Sequence, residues 1–593
     1  MYIIQRIRFP HTIDDTELYL RVDSSAHYDT QKEIIRFNGS GTISLNTYFN
    51  SFYEKYYIKH TTLRSASYLL DLAGNFSISI YREYSNHMND LILTREFSNC
   101  SRTNRIKIDL PELCNEEHSG RIYLEIQCTS PTGIFGGGFI ATDQKRQREI
   151  SLGIVTCTFK REKYVKKTVE TILADPFLND KKLSIFVVDN GKTLKEADFP
   201  DKKIRLIPNR NFGGSGGFAR GLIEAISEGD ATHLLIMDDD IELDSESVSR
   251  IFTWHEYAKE EFAISGSMFD SENRYLLHEA GAAFRTVTQT SLKHNLRLDN
   301  ASILNKLLKE EEIDYGAFWF FSFSKDIILT AGLPLPFFIK ADDIEFGLRI
   351  TKLLKGQILA VPGIAVWHES FKTKNTVWDS YYYFRNTMIT SSLYSISSFW
   401  KTAQVLTMYI VFQLCIYNYN RVEMVIRAVE DFFQGPAFIK NNDPENIHAE
   451  IMALSNKHKK PTSISFSPYH EEIFHRKFPK FGLIDKILTA SNLNGHLFKG
   501  FLRRNYRLSI PPESSWYEYI LFGRDEVIFC NSMRYYRNTI DKAAGILLFK
   551  RYLSVLVKTG LRFRSVRAKW KAAHENLASF DFWKKHLQIG ENG

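Results

Sequence analysis

Cysteine is scarce in this chain: six among 593 residues (Cys100, Cys114, Cys128, Cys157, Cys415 and Cys530), with no CxxC pair and no histidine at zinc-finger spacing. That excludes a disulfide scaffold and fits a reducing cytosol. Long apolar runs are also missing. The most apolar stretch, AQVLTMYIVFQLCIY at 403–417, is interrupted by Gln404 and Gln413 and falls short of the ~20 residues a bilayer span needs, so it reads as a buried helix. The opening MYIIQRIRFP lacks the apolar h-region of a signal peptide, so export by that route is not expected. There is no internal repeat, no low-complexity tract, and no Ser-His-Asp or Cys-His arrangement for nucleophilic catalysis.

What is present is the composition of a folded protein. Hydrophobic residues make up 44% and charged residues 24%, and 44 Phe and 29 Tyr call for large cores or sugar-binding surfaces. The length implies two to four domains. The net charge of +7 is uneven: residues 494–593 carry 18 Lys/Arg against 8 Asp/Glu, so the basicity sits at the C-terminal end. No recognition motif accompanies that charge, which argues against nucleic acid as the partner.

Three textures follow one another. Residues 1–145 alternate with period two (FSISIY at 76–81, RIKIDL at 105–110, RIYLEIQC at 121–128), which predicts an N-terminal β-sandwich. Residues 146–395 alternate apolar runs with helical stretches: strands at SLGIVTCTF, LSIFVVDNG, KIRLIPN and HLLIMDDD, helices over 165–173 and 217–228. That rhythm means parallel βαβ units, whose ligands sit beyond the carboxyl ends of the strands. Residues 396–593 are mainly helical, with apolar periodicity over 396–434, a helix near 445–457 and a basic amphipathic tail over 541–589.

Four constellations in the middle segment carry chemistry. The first is MDDDIE: Asp238, Asp239 and Asp240 at the end of an apolar strand repel one another and need water or a cation, and Asp238 with Asp240 offers hard oxygens that suit Mn²⁺ or Mg²⁺. A solvated acidic turn is the plain alternative. The second is NRNFGGSGGFARGL at 209–222, whose glycines let backbone approach an anion at a helix N-terminus, or simply let a strand and helix pack tightly. It lacks the Lys-Ser/Thr of a P-loop. The third is FIKADDIEFGLRI at 338–350, where Asp342, Asp343 and Glu345 lead an amphipathic helix as caps or as a seat for a general base. The fourth is VWHESF at 366–371, where His368 follows a strand and can complete a metal site held by two aspartates.

In this order the motifs resemble the family 2 glycosyltransferases of the GT-A fold, over roughly residues 151–390: VTCTFKRE, VVDNG, NRNFGGSGGFARGL, the DxD within MDDDIE, ADDIEFGLR and VWHES. The whole layout, with LNTYFNSFYEKYY at 45–57, is similar to the UDP-galactofuranose-dependent galactofuranosyltransferases that build galactan, which have a β-sandwich, a GT-A domain and a helical C-terminal domain. One departure is Phe318-Trp319 in YGAFWFF, where those enzymes carry paired tryptophans.

The resemblance implies an inverting, metal-dependent transfer of galactofuranose from UDP-galactofuranose to a hydroxyl of a glycan or lipid-linked glycan acceptor. It assigns Asp238, Asp240 and His368 to Mn²⁺ or Mg²⁺, and Arg161, Asp189, Asn211, Gly213, Gly214 and Asp239 to the donor nucleotide side. Asp343 is the implied base, Asp342 a second catalytic acid that holds the acceptor with Trp319, and Glu345 also faces the acceptor. The alternatives are another nucleotide sugar such as dTDP-rhamnose, or a non-catalytic glycan-binding protein. The aromatics Tyr48, Phe49, Phe52 and Tyr53 are expected in the core rather than on a lectin surface. The basic tail is a solvated face, a homo-oligomer contact or a patch on anionic lipid; lipid-linked acceptors favour peripheral contact with the cytoplasmic face of a membrane.

Overall fold

The computed structural model describes residues 1–369, 376–465, 479–498, 505–510, 517, 519–523, 525–531 and 534–589. The N-terminal region is sheet-rich, as its alternation predicts. It is organised by the strand Ser67–Glu83, which pairs first with Ile106–Asp109 and Thr132–Thr142 and then with Asn89–Cys100 and Arg121–Cys128. The register breaks beside Gly74, whose φ of +120° is accessible to glycine without a Cβ penalty, so one strand serves both halves of the region.

The aromatics of 45–57 do not form a lectin surface. Tyr48, Phe49, Phe52 and Tyr53 are all buried, in a core that continues into the central region. Tyr48 meets Phe269 at 5.0 Å between ring centroids, Phe49 meets Trp367 at 5.6 Å, and Tyr57 stacks on Trp254 at 4.3 Å. Charge closes the same seam: Arg6 bonds Asp175 and Glu246, and Tyr19, Arg8 and His11 converge on the buried Asp244.

The central region is a seven-stranded sheet in the order Ile204–Pro208, Lys182–Asp189, Ser151–Thr158, His233–Asp238, Phe320–Ser324, Phe262–Ser265, Gln357–Leu359. The first four strands are parallel, as the βαβ rhythm requires, and Phe320–Ser324 runs antiparallel to its neighbours. Glu162–Leu173 and Gly213–Ser227 are the crossover helices. A second, five-stranded sheet carries the strand Ala365–His368 between Glu242–Leu243 and Ser267–Asp270.

The C-terminal region is mainly helical, with one addition that the sequence did not reveal: Thr462–Ile464, Tyr506–Ser509, Tyr519–Phe522, Glu526–Asn531 and Arg534–Thr539 form an antiparallel sheet. The segment 396–434 is two helices, Phe399–Cys415 and Tyr419–Gln434, divided where Tyr417 takes φ 58° and Asn418 caps the second helix by accepting from the Arg421 amide. The basic tail is the 37-residue helix Lys542–Ala578, capped by Asp541, followed by Phe580–His586. This last helix returns to the central sheet, where the buried Trp583 donates its indole N–H to the Pro334 carbonyl at 2.9 Å. Among the described residues no helix is long and apolar enough to cross a membrane.

Candidate active site

Parallel register places the polar strand ends in one row. Cys157 lies opposite Asp238 and Thr158 opposite Asp189, at the carboxyl edge of the sheet where such folds bind ligands. Beyond Asp238 the chain turns and enters Glu242–Leu243, which runs antiparallel to Ala365–His368 with Glu242 opposite Trp367. The chain leading back to Asp240 therefore lies alongside the chain leading forward to His368. This pairing closes the long sequence gap between them, and ligand atoms of Asp238, Asp240 and His368 all lie within 4.8 Å of one another.

His368 Nε2 stands 3.2 Å from Asp240 Oδ1, and its Nδ1 is held by the Glu369 carbonyl at 2.7 Å, which orients the imidazole. Two carboxylates and an imidazole form a donor set that fits Mn²⁺ or Mg²⁺. Asp239 turns inward, and burial, helped by its two aspartate neighbours, pushes its carboxyl up to about 7. Arg161 lies with Asp240 in an ion pair rather than standing free for a nucleoside. A second triad, His233, His255 and Glu261, sits at the other end of the same strand with Arg148 paired to its glutamate.

The glycine-rich segment is built more by packing than by anion capture. A Cβ on Gly217 would stand 2.0 Å from Cys157 Sγ and one on Gly221 2.3 Å from Val155 Cγ1, so these glycines let the helix lie directly on the strand Ser151–Thr158. Gly213 combines a φ of +69° with the Phe338 carbonyl 2.1 Å from where its Cβ would be. Three of the first four helical amides have partners: Gly213 donates to Asn211 Oδ1, Ser215 to the Phe338 carbonyl and Gly216 to the Phe212 carbonyl. Around Gly214 there is more room, its nearest neighbour being Phe218 at 3.8 Å. Asp189 is likewise engaged, its carboxylate accepting from the amides of Gly191, Thr193 and Leu194 and so fixing the loop after its strand.

The acids of 342–345 take three different positions. Asp342 is buried and accepts from Ser215 Oγ at 2.9 Å; burial raises its pKa. Asp343 is half-buried, and burial together with Asp342 pushes its carboxyl up to about 7, while the Ile344 amide donates to it at 2.8 Å. Glu345 is wholly buried with Arg349, His574 and the Tyr394 hydroxyl. Burial alone would raise the Glu345 carboxyl, but Arg349 and His574 outweigh it and hold it at about 2. The expectation that Glu345 faces an acceptor is corrected by this: it anchors the helix Lys542–Ala578 through His574. Trp319 is also buried, its indole N–H on the Gly266 carbonyl at 3.0 Å, so its ring faces core rather than an open sugar platform. Its own carbonyl accepts from the Asp238 amide.

Three residues of this neighbourhood escaped sequence reasoning. Asn386 donates through one amide to the carbonyls of Phe337, Ile339 and Lys340, clamping a turn in which Phe338, Lys340 and Ala341 all have positive φ just before Asp342. Ser215 ties the glycine-rich helix to Asp342. Glu279 is buried, bonded by one oxygen to Ser291 at 2.5 Å and unpartnered at the other; burial pushes its carboxyl up to about 8, with Asp343 adding to the shift.

Against known families, residues 151–382 match the model "Glycosyltransferase like family 2" and residues 4–142 match "Galactofuranosyltransferase 2 N-terminal". The chain is thus a glycosyltransferase with a family 2 catalytic domain and an N-terminal domain of the galactofuranosyltransferase 2 type. It is 25% identical over 474 residues to galactofuranosyltransferase GlfT2 of Mycobacterium tuberculosis, covering 74% of this chain and 73% of that protein. To GlfT2 of Mycolicibacterium smegmatis it is 26% identical over 472 residues, covering 73% and 71%. Among solved structures, a mannosyltransferase from Pyrobaculum calidifontis aligns at 12% identity and a TM-score of 0.30, over 60% of this chain and 90% of that one.

Proposed function

We propose that this glycosyltransferase transfers galactofuranose, with inversion, from UDP-galactofuranose to a hydroxyl of a glycan or lipid-linked glycan during polysaccharide assembly. The observation that carries the reading is the convergence of Asp238, Asp240 and His368 at the carboxyl edge of the sheet, with the half-buried Asp343 at a helix start near enough for the Asp238 charge to help raise its carboxyl. The names of the two mycobacterial relatives support the donor.

On this reading Asp238, Asp240 and His368 hold Mn²⁺ or Mg²⁺. Bound there, the cation would neutralise charge on the departing diphosphate. Asp343 takes the proton of the acceptor hydroxyl as it attacks the anomeric carbon from the face opposite the nucleotide. Its raised pKa suits a base working near neutrality. Asp342, fixed by Ser215, keeps that helix start in place against the glycine-rich helix. With a lipid-linked acceptor at the cytoplasmic leaflet, the enzyme would work there as a peripheral one.

The test offers purified protein UDP-galactofuranose, UDP-galactopyranose, UDP-glucose and dTDP-rhamnose, each with Mn²⁺ and with EDTA, and measures release of the nucleotide. Turnover of UDP-galactofuranose alone, abolished by EDTA, is expected. Turnover of another donor would keep the class and overturn the donor.

A further inference from the structure

The strand His233–Asp238 carries metal-ligating side chains at both ends. Asp238 stands at the carboxyl edge of the sheet, and His233 opens the strand at the amino edge, about 17 Å away along an extended chain. His233 is buried there against His255, in the last turn of the helix Glu246–Glu256, with 4.2 Å between the ring centroids. The exposed Glu261, just before the strand Phe262–Ser265, completes the group. One ligand atom from each of the three lies within 4.8 Å of the others.

Each side chain has one candidate atom held from outside: His233 Nδ1 by the Thr232 hydroxyl at 3.1 Å, His255 Nε2 by the Ser322 hydroxyl at 3.1 Å, and Glu261 Oε1 by Arg148. Outer partners of this kind orient metal ligands and leave the opposite atom for the ion. Arg148 is itself anchored, its Nη2 on the Ala258 carbonyl at 3.1 Å, so its charge stays on the outer oxygen. Thr232 donates its hydroxyl proton to the Ser151 carbonyl at 3.2 Å and therefore accepts from His233 Nδ1, which leaves the lone pair on Nε2. That lone pair faces Glu261 Oε2 at 3.3 Å, acceptor against acceptor, a contact that calls for a cation. Among the described residues His255 Nδ1 is buried with no hydrogen-bond partner. Burial, aided by the charge of Arg148, holds the His233 ring down at about 4 and lowers His255 as well, so both are neutral near pH 7 and able to ligate.

We propose that His233 Nε2, His255 Nδ1 and Glu261 Oε2 bind a divalent transition-metal ion, Zn²⁺ by preference, with water as the fourth ligand on the exposed side of Glu261. Two imidazoles and one carboxylate are a softer set than the two aspartates and one imidazole of the carboxyl edge, so the two ends of one strand select different ions. The ion is a structural tie. It joins the start of the strand to the end of the helix Glu246–Glu256 and, through Glu261 and Arg148, to the segment that leads from the N-terminal into the central region. It stands apart from the donor side of the sheet, so the proposal is independent of the transfer reading.

The experiment uses the full chain carrying Asp240→Asn together with His368→Ala, so that the carboxyl-edge site does not contribute. The metal-stripped protein is titrated with Zn²⁺ alone against a chromogenic chelator, with Mg²⁺ in excess. Uptake of Zn²⁺ is expected, and Zn²⁺ should raise the Tm of this protein. Adding His255→Gln should weaken the uptake by at least about tenfold. Because His255 lies in the core, Glu261→Gln is the second variant: it alters an exposed side chain, keeps its shape, and should weaken uptake by a similar factor and remove the rise in Tm. No uptake by the parent, or equal uptake by the parent and Glu261→Gln, overturns the proposal.

Discussion

Two acidic runs in this chain look alike on paper, DDD at 238–240 and DDIE at 342–345, and the fold gives them opposite surroundings. The first ends a strand at an open sheet edge, where its acids meet His368 and Arg161. The second begins a helix and is enclosed: one acid is tied to a serine, one is half-open with a raised pKa, and one is locked between Arg349 and His574. The lesson is that an acid's role follows from the cations and donors that tertiary contacts bring to it.

Substitution should break this contrast in a graded way. The largest effect is expected from Asp343→Asn, which keeps the shape and removes the base: kcat falls by ~10²–10⁴-fold in a transfer assay while the denaturation profile stays in place. Asp240→Asn should raise the metal concentration needed for half-maximal activity by more than about tenfold, and added Mn²⁺ should recover part of the rate. A metal requirement unchanged by this variant would remove Asp240 from the cation site.

Glu345→Ala should behave in the reverse manner. Breaking a buried pair leaves Arg349 and His574 uncompensated and costs ~3–5 kcal/mol of stability, read by denaturant titration, with little change in KM for donor. The sign with pH follows from the depressed pKa. The stabilisation is complete above the ordinary carboxylate range and is lost as pH falls towards about 2. For Asp343 the raised pKa acts on rate instead: kcat/KM should climb as pH rises through about 7, because the base must be ionised, and Asp343→Asn should abolish that limb. The smallest effect is expected from Asn386→Ala, which releases the strained turn before Asp342 and should lower kcat about tenfold with KM for donor unchanged.

Much of the fold was legible because periodicity reports burial. Strands such as Arg121–Cys128 and Ser151–Thr158 fall where the alternation and the apolar runs lie. The C-terminal sheet was not legible, since its short strands carry charges and aromatics without a clean period. The metal triad was legible as three candidates but not as a cluster, because only the pairing of Glu242 with Trp367 brings His368 to Asp240. Asn386 left no signal: it sits in YYYFRN, inside a helix whose buried residues lie on every side.

The sequence by itself determined the order of the elements, the acids at the strand and helix ends, and the excess of positive charge in the last hundred residues, because those properties belong to local chemistry. Only the tertiary structure decided which acids stay open and which are spent as anchors, and that the glycines serve helix-to-strand contact. Each of these depends on partners supplied by distant segments, and spacing along a chain carries no record of who those partners are.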